Sequence, residues 1–376
     1  MERRKFIGTA GLAGILATGM APAVHAGQAI RWRLASRFPK VRDILHDGVQ
    51  EFTQTLKELS GGKFEITIFN ANELPAASGV LDGVQRGTIE CGHSAASYYL
   101  DRDEAFALDH AIPFGLNARQ MNAWMQEGNG LNLLREFYHG HGVVNFPMGN
   151  TGAQMGGWYR KPIRSVADFK NLKIRITGLG AQVLKRLGAL PSSLPAGEIY
   201  KALESGRIDA AEWSGPHDDL KLGLDRVAKY YAYPGWWKGG AQLSLYVNQR
   251  AYDSLTNDNK AILEAASATA HLGIQARYDA FNPPALRELV AAGAQLMPFP
   301  QSVLDAAHKT AMALYAELDG KNPAWKKIRA SQAQFLRDQA WSSGYTDLAF
   351  MNYMNQKALD QERQEKQKKS APAGRH

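Results

Sequence analysis

Apolar positions along the chain fall into two periods. Ile30, Trp32 and Leu34 alternate with polar or smaller residues, which predicts a strand. Ile44, Leu45, Val49, Phe52, Leu56 and Leu59 then recur at helical spacing until Ser60-Gly61-Gly62 stops them. Phe64, Ile66 and Ile68 alternate again. Strand, helix and strand in that order predict an α/β fold, with a parallel sheet and helices on its faces.

The pattern then partly repeats. Leu74-Pro75 precedes a helical stretch that ends in Gly87-Thr88-Ile89-Glu90-Cys91, and Leu194-Pro195 precedes another that ends in Gly206-Arg207-Ile208-Asp209-Ala210. Each unit reads as a proline-initiated helix, a glycine stop and a short buried strand with an acid at its edge. Two such units about 120 residues apart suggest two lobes of related topology; coincidence between two ordinary helix–strand turns is the plainer alternative. Ligands of parallel sheets bind beyond the carboxyl ends of the strands. His93-Ser94 in the first unit and Glu212-Trp213 in the second are therefore expected to face one cleft. From Pro300 onward the pattern is mostly helical, and Tyr345 to Lys368 carries Leu348, Phe350, Met351, Met354 and Leu359 before turning strongly polar. A half-apolar, half-charged helix needs a partner surface. This segment is expected to dimerise the protein, with folding back on its own lobe as the competing reading.

Ahead of the first strand, Arg3-Arg4-Lys5, the apolar run Ile7 to Met20 and the small–x–small site Val24-His25-Ala26 have the layout of a secretory signal. Glu2-Arg3-Arg4-Lys5-Phe6-Ile7 also resembles a twin-arginine signal. The run is too short and glycine-rich to span a bilayer comfortably, which favours cleavage and export to the periplasm over a retained anchor. Removing residues 1–26 takes three basic residues and one acid, so the formal charge falls from +8 to +6. The one dense basic cluster, Arg363 to Lys369, is mixed with Glu362 and Glu365 and lacks interleaved aromatics, so nucleic-acid binding is not expected. The single cysteine, Cys91, excludes an intrachain disulfide and a cysteine metal site. Beside Ile89 and Gly92 it reads as a small hydrophobe in a buried strand. The remaining chain is long enough for two lobes rather than one core.

Catalytic signatures are missing. The ten histidines form no H-E-x-x-H and no close metal pair, and there is no G-x-S-x-G elbow or P-loop. Gly178-Leu179-Gly180-Ala181-Gln182-Val183 partly matches a dinucleotide loop, but Val183 stands where the third glycine belongs, so a structural turn is expected. What stands out are polar residues set among glycines and aromatics: Gln154, Arg175, Glu212-Trp213 and Lys238. Arg175 lies in a strand that otherwise reads as buried, and a buried guanidinium needs a planar anion such as a carboxylate. An internal salt bridge explains any one of these residues; the set, each at the end of a strand or loop, points to a ligand cleft.

The block Gln154-Met155-Gly156-Gly157-Trp158-Tyr159-Arg160-Lys161-Pro162-Ile163, continued by Asp168-Phe169-Lys170 and Lys173-Ile174-Arg175, with Glu212-Trp213 and Gly235-Trp236-Trp237, resembles the solute-binding proteins of TRAP transporters. The nearest branch is the one that captures 2-oxo acids and other small monocarboxylates. The resemblance implies a two-lobed periplasmic-binding fold with a ligand cleft between the lobes, a long bridging helix and a helical C-terminal segment. It divides the chain into a signal (1–26), lobe I (27–150), lobe II (151–240), a shared return segment (241–300) and C-terminal helices (301–376). It further implies delivery of the ligand to a two-part membrane permease that depends on a sodium gradient. Arg175 would clamp the ligand carboxylate, with Tyr98 contributing from the first lobe and Trp213, Trp236 and Trp237 walling off water. Gln154, Glu212 and the Trp213 carbonyl match positions that hold a sodium or calcium ion in that branch.

One departure stands out. Where the branch has Gly-Trp-Trp-Glu-Gly, this chain has Lys238. An ammonium would repel a cation at close range, yet it could itself pair with Glu212 and donate to Gln154 and the ligand. The expectation is that Lys238 takes the place of the ion and that no metal cofactor is needed. Such a site must be economical: micromolar binding needs about 8 kcal/mol, and a pyruvate-sized acid offers about six heavy atoms at no more than roughly 1.5 kcal/mol each. Pyruvate, branched 2-oxo acids, lactate and pyroglutamate all suit an arginine-centred pocket. An exported lyase or hydrolase using Glu212 and Lys238 as acid and base is the enzyme alternative, and a ligand-sensing subunit is a third reading.

Overall fold

The computed structural model describes residues 29–38, 44–70 and 79–370; the secretory-signal residues and Leu74-Pro75 lie outside them. The strands are β1 (Ile30–Ser36), β2 (Phe64–Asn70), β3 (Cys91–Ser94), β4 (Val143–Asn150), β5 (Trp158–Tyr159), β6 (Lys173–Arg175), β7 (Leu190–Ser192), β8 (Ala210–Ala211), β9 (Tyr230–Tyr233), β10 (Gln242–Asn248) and β11 (Gln295–Pro298). They form two sheets, ordered β2-β1-β3-β10-β4 and β11-β9-β5-β8-β6-β7, the cores of the two lobes.

Both sheets are mixed, where the strand–helix–strand order predicted parallel ones. In the first, β1 pairs parallel with β2 and β3, but β10 pairs antiparallel with β3 and β4. In the second, β6 pairs parallel with β7 and β8, and β5 pairs antiparallel with β8 and β9. The cause is connectivity. β10 re-enters the first sheet only after the chain has built β5 to β9 of the second, and it arrives running the opposite way.

The weak repeat has a topological counterpart. Helix Val80–Gln85, Gly87 at φ +69° and β3 match helix Ala196–Glu204, Gly206 at φ +72° and β8. Each trio of parallel strands is then closed by one antiparallel strand. Helix Ile44–Leu59 buries Ile44, Leu45, Val49, Phe52 and Leu56, five of the six residues picked out by helical spacing; the sixth, Leu59, is exposed at the helix end. Val49, Phe52 and Leu56 pack with Leu34, Phe64, Val144 and Leu245 into the first lobe's core, and Ile44 and Leu45 with Leu243 and Ile274, while Trp158, Ile199, Leu203 and Tyr231 fill the second.

One helix, Asn257–Ala291, touches both lobes. It runs 35 residues, about 52 Å at 1.5 Å per residue. It packs against helix Ile44–Leu59 and β4 on one side and helix Pro216–Leu222 on the other. Hydrogen bonds tie it to both lobes, among them Gly149 N–H donating to His271 Nδ1 at 2.9 Å and Tyr278 Oη donating to Asp218 at 2.8 Å. Helices Gln301–Lys321 and Pro323–Tyr345 bury Leu314, Leu318, Trp325 and Ile328 against the body. The end of the second of these and helix Asp347–Ser370 do not: Trp341 and Tyr345 in the one, Phe350 and Tyr353 in the other, are each more than half exposed. Among the described residues, no helix is long and apolar enough to cross a membrane.

Candidate functional site

A cavity of about 50 Å³ lies between the lobes. By a measure in which one water needs about 10–15 Å³, it holds roughly four water-sized groups. Tyr98, His110, Phe38, Leu45 and Leu243 line it from the first lobe, and Gln154, Arg175, Thr177, Trp213, Asp218 and Lys238 from the second side.

Arg175 ends β6, in register with Ala211 of β8, and the Glu212 N–H donates to the Arg175 carbonyl at 2.8 Å. This strand pairing carries both side chains to one end of the sheet. They are 2% and 1% exposed. Arg175 Nη1 donates to the Glu212 carbonyl oxygen at 2.6 Å and to Glu212 Oε2 at 3.1 Å, and Nε donates to the Leu194 carbonyl at 3.1 Å. Among the described residues, nothing hydrogen-bonds Nη2. The guanidinium carbon sits 4.9 Å from the Trp213 ring.

Lys238 arrives on the turn that begins at Gly235. A Cβ on Gly235 would stand 2.4 Å from the Gln154 carbonyl oxygen, closer than side chains pack, so only glycine lets the turn lie against residue 154. From there Lys238 Nζ donates to Glu212 Oε1 at 2.5 Å and to Thr177 Oγ1 at 3.4 Å. One buried carboxylate thus lies between two buried cations, leaving a net single positive charge. A buried charge needs a counter-charge. A monocarboxylate supplies it.

Gln154 donates to Thr151 Oγ1 at 3.0 Å, and its Oε1 is buried with no partner among the described residues. An orphaned amide oxygen in a cavity that a carboxyl, Asp218, also lines is the donor chemistry that sodium and calcium take. No three His, Cys, Asp or Glu side chains gather among the described residues, but a site of one carboxylate with amide and carbonyl oxygens does not need them.

Other expected residues fall elsewhere. Trp237 is 1% exposed and packs edge-on against Trp236 and Phe299 at ring distances of 4.7 and 6.0 Å, behind the cavity wall. Trp236 stacks on Phe114 at 5.4 Å. Of the three tryptophans, Trp213 alone lines the cavity. His93 and Ser94 remain inside β3, with His93 Nε2 2.9 Å from the Met148 carbonyl oxygen; Ala95, Ser97 and Tyr98 reach the cavity instead. Gly178 adopts φ +74° before helix Leu179–Arg186, the structural turn expected there.

Three cavity residues carry no sequence signal: Thr177, His110 and Asp218. His110 is one of ten scattered histidines. Its Nδ1 lies 2.7 Å from the Gln242 carbonyl oxygen, and its Nε2 is buried without a partner among the described residues. Burial first, then the Lys238 charge, lowers its pKa to about 3, so the ring is neutral. Asp218 is 6% exposed, and burial raises its carboxyl above the ordinary range despite the Tyr278 hydrogen bond. Behind His110, Asp109 accepts from Tyr138, Ser244 and Gln242, and burial lifts its pKa to about 6.

The family model for bacterial extracellular solute-binding proteins, family 7 (DctP), matches residues 35–321. The chain belongs to this family. It is a TRAP-type solute-binding protein, a binding component of a transporter and not an enzyme. The monocarboxylate 2-oxoacid-binding periplasmic protein of Nostoc is 41% identical over 361 residues, covering 94% of this chain and 99% of that one. A TRAP solute-binding protein from Bordetella bronchiseptica, solved as a mixed-occupancy dimer with calcium and picolinate, matches with a TM-score of 0.86 at 42% identity, covering 89% of this chain and 99% of that one. Another from Pseudoalteromonas atlantica, with sodium and pyruvate, matches with a TM-score of 0.83 at 37% identity, covering 86% and 99%.

The calcium and sodium in these two structures overturn the expectation that Lys238 takes the place of the ion and that no metal cofactor is needed. The pairing of Lys238 with Glu212 is as expected, and it neutralises the ammonium that would otherwise repel an ion. Asp218, which carries no signal in the sequence, adds a further carboxyl to the cavity. The acid–base pair of the enzyme reading is likewise an internal ion pair, Lys238 to Glu212.

Proposed function

We propose that this receptor captures a small monocarboxylate of the 2-oxo or 2-hydroxy acid class between its lobes and delivers it to a TRAP membrane permease. The carrying observation is the buried Arg175–Glu212–Lys238 cluster, with one positive charge in excess, at a cavity sized for a few heavy atoms. Arg175 Nη2 and the remaining Lys238 N–H meet the carboxylate, Tyr98 closes over it from lobe I, and Trp213 shields the pair from water. The Nostoc relative's name and the pyruvate in the Pseudoalteromonas structure support the same ligand class.

Gln154 Oε1, Glu212 and the Trp213 carbonyl would hold a sodium or calcium ion that ties ligand oxygens to the protein. Residues 1–26 act as a cleaved export signal, residues 27–150 and 151–240 form the two lobes, and the exposed face from Trp341 to Leu359 joins two copies into a homodimer. A thermal-shift screen of small acids on the mature chain, with sodium and calcium present and then both removed, tests the ligand reading. Stabilisation grows with ligand concentration over Kd. Pyruvate or lactate should raise the melting temperature, and removal of both cations should weaken that rise. A protein that no small monocarboxylate stabilises sinks the reading.

A further inference from the structure

The unpartnered groups around the cavity can be sorted by what they ask of a ligand. Arg175 Nη2, the third N–H of Lys238 and the Tyr98 hydroxyl can donate, and a carboxylate accepts from all three. Besides the Asp218 carboxyl, which already accepts from Tyr278 at 2.8 Å, two groups can only accept. Gln154 Oε1 is one, and a cation satisfies it. The other is His110 Nε2. Its role follows from its neighbour: the Gln242 carbonyl oxygen only accepts, so Nδ1 carries the ring proton and Nε2 presents a lone pair. The ring is fixed there, because Gln242 also donates its backbone N–H to the His110 carbonyl at 3.0 Å. Neither a carboxylate nor a 2-oxo group can donate to that lone pair. A cavity of about 50 Å³ leaves little room for a bridging water once a six-atom acid is in place.

We infer that His110 is a specificity-determining residue: its Nε2, buried without a partner on a residue that lines the cavity with Lys238, selects an acid with an uncharged donor at C2, a 2-hydroxy acid over the 2-oxo acid of the same skeleton. The hydroxyl oxygen accepts from Lys238 or meets the cation, while its proton goes to His110. A 2-oxo acid sets an oxygen lone pair against the nitrogen lone pair and leaves a buried acceptor unmet. A site built to bond a hydroxyl discriminates strongly against the analogue that lacks it. A 2-amino acid brings its donor on an ammonium, which the Lys238 charge opposes. The one competitor on the protein is Lys238 itself, whose third N–H could turn to Nε2 in place of the ligand.

This inference rests on the small-monocarboxylate reading above, and calorimetry separates the two. Lactate and pyruvate, then 2-hydroxybutyrate and 2-oxobutyrate, are titrated into the wild-type chain and into His110→Leu at fixed sodium and calcium. The wild type should bind each hydroxy acid at least about ten-fold more tightly than its oxo partner, the scale of one unmet buried acceptor. In His110→Leu that ratio should collapse towards one, with oxo-acid affinity kept or improved. Equal affinities in the wild type, or tighter oxo acids, overturn the inference and leave the monocarboxylate reading standing. A hydroxy-acid preference that survives in His110→Leu also overturns it, since Lys238 or another group would then be the reader. If no acid of either kind binds, both fall. Should His110→Leu misfold, the imidazole ¹⁵N shifts of the wild type decide: Nε2 must move on adding lactate, and an unmoved Nε2 counts against the inference.

Discussion

At the scale of single residues the site is a contest over one carboxylate. Arg175 Nη1 and Nε hold Glu212 and Leu194, while among the described residues Nη2 has no partner and is left for a ligand in the proposed site. Arg175→Ala should therefore weaken ligand binding by about a hundred-fold or more, within the 2–5 kcal/mol of a broken buried charge pair. It should also lower the melting temperature, because Glu212 loses one of its two cations. Arg175→Lys keeps the charge but not the fork, so melting should recover further than affinity. Calorimetry and thermal denaturation on both variants give the two readouts, and near-native affinity in Arg175→Ala would remove Arg175 from the site. Glu212 and Gln154 were legible in the sequence because each stands among glycines and aromatics, and Arg175 because it interrupts a strand that otherwise reads as buried. His110 and Asp218 were not. The loop after Asp109 and the short helix after Gly215 have no pattern of their own, and only the closing of two lobes brings them to one cavity.

At the scale of elements, the turn from Gly235 to Lys238 is the part with least room to change. Gly235→Ala would drive a Cβ into the Gln154 and Met155 carbonyl oxygens. The turn must then move, with a cost of about 1–3 kcal/mol of the kind seen on overpacking. Both the melting temperature and ligand affinity should fall; a variant that melts lower yet binds normally would show that Lys238 does not depend on this approach. Strands β1 and β2 and the helix between them could be read directly, since alternation and helical spacing there are carried by large side chains. Helix Asn257–Ala291 could not. Its buried positions are often small, Ala266, Ser267, Ala270 and Ala285 among them, so no broad apolar stripe marks it, and Pro283-Pro284 reads as a break. Small residues let it lie close to both lobes, and the same residues hide it in the sequence. Trp237 misleads in the opposite way: a tryptophan next to the site lysine looks like a cavity wall, but residues 236 and 237 point into the core.

For the molecule as a whole, buried titratable groups set the pH response. Burial lowers His93 and His271 to about 4 and His110 to about 3. The unfolded chain takes up these three protons below about pH 6.5 while the native state refuses them, so their contribution is lost as pH falls. Asp109 at about 6 and Asp219 at about 7 act oppositely, holding protons in the native state that the unfolded chain releases above about 3.9. Burial raises Asp218 as well and lowers His141 and His217, so the slope near pH 5 is a difference between opposing groups. Asp219→Asn removes a proton that only the native state holds, so between about pH 4 and 7 its stability should rise with pH more steeply than the wild type's, by about 1.4 kcal/mol per unit; urea titrations across the range measure it, and equal slopes in the two chains would contradict the role of Asp219. Ending the chain after residue 340 removes Trp341, Tyr345 and Phe350, which are 74%, 77% and 64% exposed. Sedimentation should show a dimer becoming a monomer with ligand affinity unchanged, and a monomeric full-length chain at high micromolar concentration would rule the dimer out. The sheet order carries one more consequence, for synthesis. β10 sits between β3 and β4 yet follows β9 in the chain, and β11 closes the second sheet later still. A nascent chain leaving the ribosome N-terminus first cannot complete its first sheet until residue 248 has emerged, by which point all of the second sheet but β11 has been made.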